Sequence, residues 1–247
     1  AALEVVSEKY SLGIHTFHFL FEKGSGGIQL NGTSTTCPTC KGTGKEGKSK
    51  CGECNGIGTV RYILKTRKDI REWFQWFADD DHYNVGIIDT LDGMYQVIMD
   101  DVCVQQKIVS PFGADDHGIA WAMIADDVRE CLGILTGSNK ALIIIAHVYM
   151  QTKRVRGGGE VSTATFNVSG KSRQYVAGLA NQILHFDVVP DLEHDAKRDK
   201  HVVIASAQSG VQAGDQWGLF PDELDLGDSP EEGAEAILTA FGMLEDE

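Results

Sequence analysis

The sequence predicts an α/β fold in which a mostly parallel central sheet is flanked by helices. Residues 85–88 and 141–145 are uniformly apolar runs, too short for helices and typical of strands that are buried on both faces of a parallel sheet. Stretches with apolar residues at helical spacing lie around them. At 247 residues and 42% hydrophobic content, the chain is long enough to enclose a substantial core.

The sequence before residue 85 predicts two helices and one strand. Residues 1–12 carry apolar side chains at helical spacing and predict an amphipathic helix that ends at Gly13. Residues 16–21 are rich in strand formers. Thr66 and Asp69 have the spacing of a capping box, so a helix is expected to begin there. Its apolar face would consist of Ile70, Trp73, Phe74 and Phe77.

The rest of the chain continues the alternation of helices and strands. Helices are predicted over residues 91–106, around Val128–Leu135 and over 174–181, and strands over 183–189 and 202–207. Residues 107–118 and 151–173 are predicted loops, the second of them mobile and basic. The last helix is expected to start at Ser229-Pro230, with proline in its first turn.

The charge balance limits the kinds of partner that the protein can have. A net charge of -14 argues against a protein that coats nucleic acid over its whole surface, although a local basic segment can still bind phosphates. No apolar run reaches the ~18 to 20 residues that cross a bilayer, and no signal-like segment opens the sequence. We therefore expect a cytoplasmic protein without a membrane partner.

Four of the six cysteines form a cluster with metal-ligand spacing. The two copies of C-x-x-C-x-G-x-G contribute Cys37, Cys40, Cys51 and Cys54. Each C-x-x-C places two thiolates on one tight turn, and two such turns form the tetrahedral shell that suits a structural Zn²⁺. The repeat resembles the zinc module of DnaJ-type chaperones, with two motifs where that family has four. Cys103 and Cys131 lie in helical patterns and are expected to be buried thiols.

Asp89 follows the apolar run at 85–88 directly, and Thr90 comes next. A carboxylate at the carboxyl end of a parallel strand lies where α/β proteins bind ligands, and in nucleotide-hydrolysing proteins an aspartate there serves Mg²⁺. The alternative is that Asp89-Thr90 only caps the helix that follows. The strand pattern alone leaves both interpretations open.

Polar side chains follow three predicted strands: Glu22, Asp89 and His147. This arrangement resembles the RecA-like ATPase core. The resemblance implies that Glu22 activates the attacking water, that Asp89 serves Mg²⁺ with Thr90 beside it at the nucleotide, and that His147 stands at the position that senses the γ-phosphate. RecA-like proteins more often have Asn or Gln at that position. ATP and Mg²⁺ are the implied cofactors.

A narrower resemblance is to phage-encoded RecA-like ATPases of recombination and single-strand annealing, carried by IIDTLDGMY, ALIIIAH and GLFPDEL. It implies single-stranded DNA as a partner, head-to-tail self-assembly and, for a phage protein, the host cytoplasm. The DNA would contact the loops at 107–118 and 148–173. The second loop supplies Lys153, Arg154, Arg156, Lys171 and Arg173, because cationic groups bind backbone phosphates.

The phosphate loop G-x-x-x-x-G-K-[ST] of active P-loop enzymes is not found among the 247 residues. We expect it directly upstream of Ala1; a non-hydrolysing homologue is the alternative. The expected organisation is a RecA-like core over residues 1–27 and 61–225, a zinc insert over 28–60 and an acidic C-terminal helix over 226–247. The competing functions are a non-enzymatic assembly module, with the zinc insert as a protein-interaction surface, and a chaperone-like zinc module on an unrelated scaffold.

Overall fold

The computed structural model describes residues 2–21, 32–36, 45–46, 49–50, 59–62, 64–112, 118–154, 158–191, 195–207 and 210–244. Its helices are α1 (Ala2–Tyr10), α2 (Arg67–Asp79), α3 (Leu91–Gln106), α4 (Ile119–Thr136), α5 (Gly170–Leu179) and α6 (Pro230–Ala240). Its first seven strands are β1 (Thr16–Leu20), β2 (Gly32–Thr36), β3 (Lys45–Glu46), β4 (Ser49–Lys50), β5 (Thr59–Tyr62), β6 (Val85–Asp89) and β7 (Ala141–Ile145). The others are β8 (Val148–Arg154), β9 (Glu160–Phe166), β10 (Gln182–Ile183), β11 (His185–Asp191), β12 (Asp195–Ile204), β13 (Gly214–Asp215) and β14 (Glu223–Asp225).

The chain divides into two compact units. Thr16–His147 form the first, which we call the sheet unit, and Ala1–His15 with Val148–Glu247 form the second, which we call the hairpin unit. Among the described residues, no helix is long and apolar enough to cross a membrane. The zinc-site cysteines lie outside the described residues, so the zinc insert stays a prediction.

The sheet unit is built on a five-stranded sheet of order β5-β2-β1-β6-β7. Strands β1, β6 and β7 are parallel to one another, whereas β2 and β5 are antiparallel neighbours on the side of β1. The predicted α/β class, with a parallel centre and flanking helices, is therefore confirmed, and two antiparallel strands extend it.

One face of the sheet carries the aromatic core. Phe17 and Phe19 of β1 are buried and contact Phe77 of α2, with ring centroids 5.9 and 5.5 Å apart. Gly86 of β6 shares this face, and a Cβ there would lie 3.0 Å from the Phe77 ring. The absence of a side chain at Gly86 therefore lets α2 pack directly on the parallel strands.

The opposite face of the sheet carries Asp89. Asp89 is in register with Ile145 of β7, and paired residues of neighbouring strands point to the same side. Ile143 and Ile145 on this side are 42% and 45% exposed. Asp89 thus stands at the end of β6 on the face that α2 does not cover.

Predicted helix starts in the sheet unit are confirmed in detail. Thr66 and Asp69 form the reciprocal capping box at the start of α2. Helix α3 covers the predicted residues 91–106. Its cap is Thr90, whose Oγ1 accepts a hydrogen bond from the Gly93 backbone N–H at 3.3 Å. The capping interpretation of Asp89-Thr90 is therefore confirmed for Thr90, and the metal role of Asp89 stays a prediction.

The hairpin unit corrects the predicted loop over 151–173. Strands β8 and β9 pair as an antiparallel hairpin, and α5 begins at Gly170. Thr and Val at alternating positions, as in EVSTATF, are strand formers, but the adjacent glycines and charged residues conceal this pattern. Only residues 155–157 of this segment lie outside the described residues.

The two ends of the hairpin unit pack together. Helices α1 and α6 are in contact, and Lys9 pairs with Glu235 at 2.6 Å. Ser229 caps α6 through Glu232 N, and Pro230 is its first residue, as predicted. The three-stranded sheet β11-β12-β14 supplies buried Val202 and Val203.

Candidate functional site

The carboxyl ends of the three parallel strands meet at one edge of the sheet. Leu20, Asp89 and Ile145 are paired in register, so the residues that follow them begin at the same level. The backbone N–H of Phe21 donates to the Asp89 carbonyl at 2.6 Å and continues this alignment one residue beyond β1. Glu22 lies outside the described residues, and its predicted role in activating water stays a prediction.

Asp89 itself is half-buried, and its carboxylate has no hydrogen bond or ion pair to a residue that the structure describes. The Asp89–Thr90 peptide bond is cis. Thr90 is 2% exposed, and its hydroxyl oxygen caps α3. The structure thus gives Thr90 a role in fixing the start of α3 beside the carboxylate, and its predicted contact with the nucleotide stays a prediction.

His147, which follows β7, lies against the first turn of α3. Its Nδ1 is 2.7 Å from Oδ2 of Asp92, and its backbone N–H donates to Oδ1 of the same carboxylate at 3.1 Å. The two contacts join the end of β7 to the helix that follows β6. Asp92 was not predicted as a site residue. The signal that could have identified it is its position in the first turn of the helix that follows Asp89.

The first turn of α3 also lies against the end of β1. A Cβ placed on Gly93 would be 2.5 Å from the Phe21 carbonyl oxygen and 2.7 Å from the Phe21 Cβ. Only a residue without a side chain permits this approach. Gly93 therefore holds Asp92 and the Thr90 cap close to the last residue before Glu22.

The donor set at this edge fits Mg²⁺ bound to a nucleotide. Mg²⁺ is usually held by one or two carboxylates together with phosphate and water, and Asp89 offers one carboxylate without a described protein partner. Among the described residues there is no group of three or more His, Cys, Asp and Glu side chains that could hold a metal by themselves.

The β8–β9 hairpin places the basic side chains that are predicted to bind DNA on two opposite faces. Lys153 is exposed and, because side chains alternate along a strand, shares a face with Tyr149 and Gln151. Arg173 reaches this face by donating to Gln151 Oε1 at 3.2 Å. Arg154 lies on the opposite face, where it pairs with Glu160 at 3.2 Å.

The other predicted DNA contacts are placed only in part. Lys171 is exposed in the first turn of α5, and Arg156 lies outside the described residues. In the predicted loop 107–118, Phe112 is 72% exposed and packs edge-on against Trp121 at 4.7 Å between centroids. This exposed ring was not predicted from the sequence. The position of Phe112 directly after Pro111, in a predicted loop, could have indicated it.

The cysteines of the helices are confirmed as buried thiols. Cys131 is 0% exposed, and burial raises its pKa to about 12. Burial also raises the pKa of Cys103 above its usual value. Both groups are therefore protonated thiols at neutral pH and unsuited to nucleophilic roles.

The family of the chain is shown by its match to a domain model. No curated protein matches the chain. The family model of the AAA domain matches residues 10–217, a span that includes the three parallel strands, Asp89 and His147. This family is a branch of the P-loop nucleoside triphosphatases, whose members bind ATP with Mg²⁺, and the predicted P-loop class is thereby confirmed. The chain belongs to the AAA domain family.

Proposed function

We propose that this AAA-domain protein is an ATP-dependent, single-stranded-DNA-binding protein of recombination or annealing. The observation that carries the nucleotide part is the placement of Asp89, Asp92 and His147 at the carboxyl edge of the three parallel strands. The DNA part is supported by the exposed basic and aromatic face of the hairpin.

At the nucleotide, Asp89 holds the Mg²⁺ that accompanies ATP. Mg²⁺ held there would supply positive charge against the phosphates of ATP during the transfer of the γ-phosphoryl group to water. Glu22 orients and deprotonates that water, and His147 contacts the γ-phosphate. The family match supports ATP and Mg²⁺ as the cofactors, whereas these residue roles belong to the proposal.

Replacing Asp89 by Asn tests the nucleotide part. The amide keeps the shape of the side chain and removes the charge that holds Mg²⁺, so ATP turnover should fall by at least about a hundredfold, comparable to the loss of one strong electrostatic group. Phosphate release is measured with the protein in its natural full length. The control is Asp100→Asn, an equal charge change at an exposed position of α3. Equal turnover in wild type and Asp89→Asn would rule out the proposed site.

DNA binding is assigned to the face of the hairpin that carries Tyr149, Lys153 and the Gln151–Arg173 contact. Lys153 offers an exposed cation to the phosphates, and Tyr149, 48% exposed, offers a ring on which a base can stack. Arg154 is on the other face and is partly neutralised by Glu160. The chain has a net charge of -14, which repels a polyanion such as DNA. A local basic surface is therefore where DNA can approach the protein.

The two faces can be compared with single substitutions. Lys153→Ala should weaken binding to an unstructured oligonucleotide and reduce the slope of log K against log salt by about 0.7, the value for one lost phosphate contact on a single strand. Arg154→Ala, which removes the same charge from the opposite face, should have a smaller effect. Fluorescence anisotropy over a salt series measures both. Equal losses in the two variants would contradict the assignment of the face.

The remaining parts of the proposal concern assembly and the insert. Cys37, Cys40, Cys51 and Cys54 hold one structural zinc through four thiolates, since that set closes a tetrahedral shell. The insert then contacts DNA or a neighbouring copy in a head-to-tail assembly. A phage origin and action in the host cytoplasm complete the proposal, on the strength of the recombination-protein resemblance.

A further inference from the structure

The contact between Asp92 and His147 has a defined hydrogen-bond pattern. An ionised carboxylate only accepts hydrogen bonds. One oxygen of Asp92 accepts from the His147 backbone N–H at 3.1 Å, and the other lies 2.7 Å from the ring Nδ1. The ring proton must therefore be on Nδ1 for the second contact to be a hydrogen bond.

We propose that Asp92 is a positioning residue that fixes the orientation and the protonated nitrogen of His147. The Asp92 side chain is 17% exposed and the His147 side chain 61%, so the carboxylate is the more confined partner. Holding both the backbone and the ring of His147 leaves that residue little freedom to rotate. The role in catalysis rests on the proposed function, in which His147 contacts the γ-phosphate.

An isosteric substitution separates this role from simple packing. In Asp92→Asn the amide oxygen can still accept from the His147 backbone N–H, but the amide nitrogen then faces Nδ1 and donates to it. The ring must present a lone pair at Nδ1, which moves its proton to Nε2 in the neutral form. If the amide is rotated instead, its nitrogen faces the backbone N–H and that contact is lost.

The direct test is the ¹⁵N spectrum of the histidine rings, recorded without nucleotide. The chain has 8 histidines, and the signal of His147 is identified by its disappearance in His147→Gln. Wild type should show the proton on Nδ1 in the neutral ring, and Asp92→Asn should show it on Nε2. The control Asp100→Asn should match wild type. If the amide of Asp92→Asn is rotated, the ring proton stays on Nδ1 and the signal of the His147 backbone N–H shifts instead, because its hydrogen bond to Asp92 is lost. A proton on Nε2 in wild type overturns the proposal, and so does an Asp92→Asn variant in which both the ring and the backbone N–H signals of His147 are unchanged.

The functional test is a double-mutant cycle with His147→Gln. Asp92→Asn should lower kcat by about tenfold or more, the usual effect of losing an orienting partner, and leave KM within about twofold. In the His147→Gln background the same substitution should have little further effect, because Asp92 acts through the ring. Full additivity, or an unchanged kcat in Asp92→Asn, overturns the catalytic role. If Asp89→Asn leaves turnover unchanged, the proposed function fails, and the ring spectrum still decides the role of Asp92.

Discussion

Gly93 shows how one residue controls the geometry at the edge of the sheet. Its missing side chain lets the first turn of α3 contact the backbone of Phe21. Asp92 precedes Gly93 in the chain, and the Thr90 hydroxyl oxygen caps the helix by accepting a hydrogen bond from the Gly93 backbone N–H. A change at Gly93 would therefore displace the contacts of both neighbours.

Gly93→Ala should destabilise the protein by about 1–3 kcal/mol, since the new methyl group overlaps backbone atoms that have no room to move. Gly133→Ala is the matched control, because Gly133 also lies in a helix and a Cβ there has no neighbour within 4 Å. At such a position alanine should stabilise by about 0.5–1 kcal/mol. Urea unfolding measures both changes, and a similar effect of the two substitutions would contradict the close approach.

The residues at the edge of the sheet were predictable one at a time, but their contacts were not. Asp89 and His147 follow apolar strands, so their positions could be read from the strand pattern. The link from His147 to Asp92 depends on how α3 is rotated relative to β7, which the spacing along the chain does not specify. Burial of the Thr90 side chain likewise required the three-dimensional packing.

At the scale of elements, an ion-pair network joins the helices of the sheet unit. Arg67 of α2 pairs with Asp101 of α3 at 2.9 Å and also contacts Asp127 of α4. Arg71 contacts Asp127 as well and pairs with Glu130 at 2.7 Å. Desolvation lowers the pKa of Arg67, but the hydrogen bonds from its guanidinium to Asp127 and Asp101 outweigh this and raise it.

Asp127→Ala should cost about 3–5 kcal/mol of folding free energy, because it leaves two arginine side chains without their shared, largely buried carboxylate. Its neighbour provides the control: Asp126 is exposed and pairs with Arg129 along its own helix, so Asp126→Ala should change stability by less than about 1 kcal/mol. Chemical unfolding compares the two variants. A loss below 1 kcal/mol for Asp127→Ala would show that the network does not hold the helices together.

The helices were easier to predict than the strands of the hairpin unit. Thr66, Thr90 and Ser229 cap their helices as the sequence pattern indicates, because capping depends on residues within one turn. The β8–β9 hairpin depends on pairing across a glycine-rich connection. Its basic and glycine residues resemble those of an unstructured loop, and its few large apolar side chains gave no clear strand period.

At the scale of the whole molecule, the parallel centre of the sheet was predictable. Short, uniformly apolar runs are typical of strands that are buried on both faces of a parallel sheet. The antiparallel strands β2 and β5 were not predictable, since they flank the segment that reads only as a cysteine-rich insert. The grouping of the first 15 residues with Val148–Glu247 in one compact unit depends on contacts between distant parts of the chain, which the local sequence pattern does not specify.

The aromatic core described above also makes the two units optically distinct. Trp73 and Trp76 pack around Phe17 in the sheet unit, at 6.2 and 5.2 Å between centroids, and Trp121 contacts Phe112 in the same unit. Trp217, 57% exposed, is the remaining one of the 4 tryptophans and belongs to the hairpin unit. Intrinsic fluorescence therefore reports mainly on the sheet unit, and replacing Trp217 by Phe would make the emission a reporter of that unit alone.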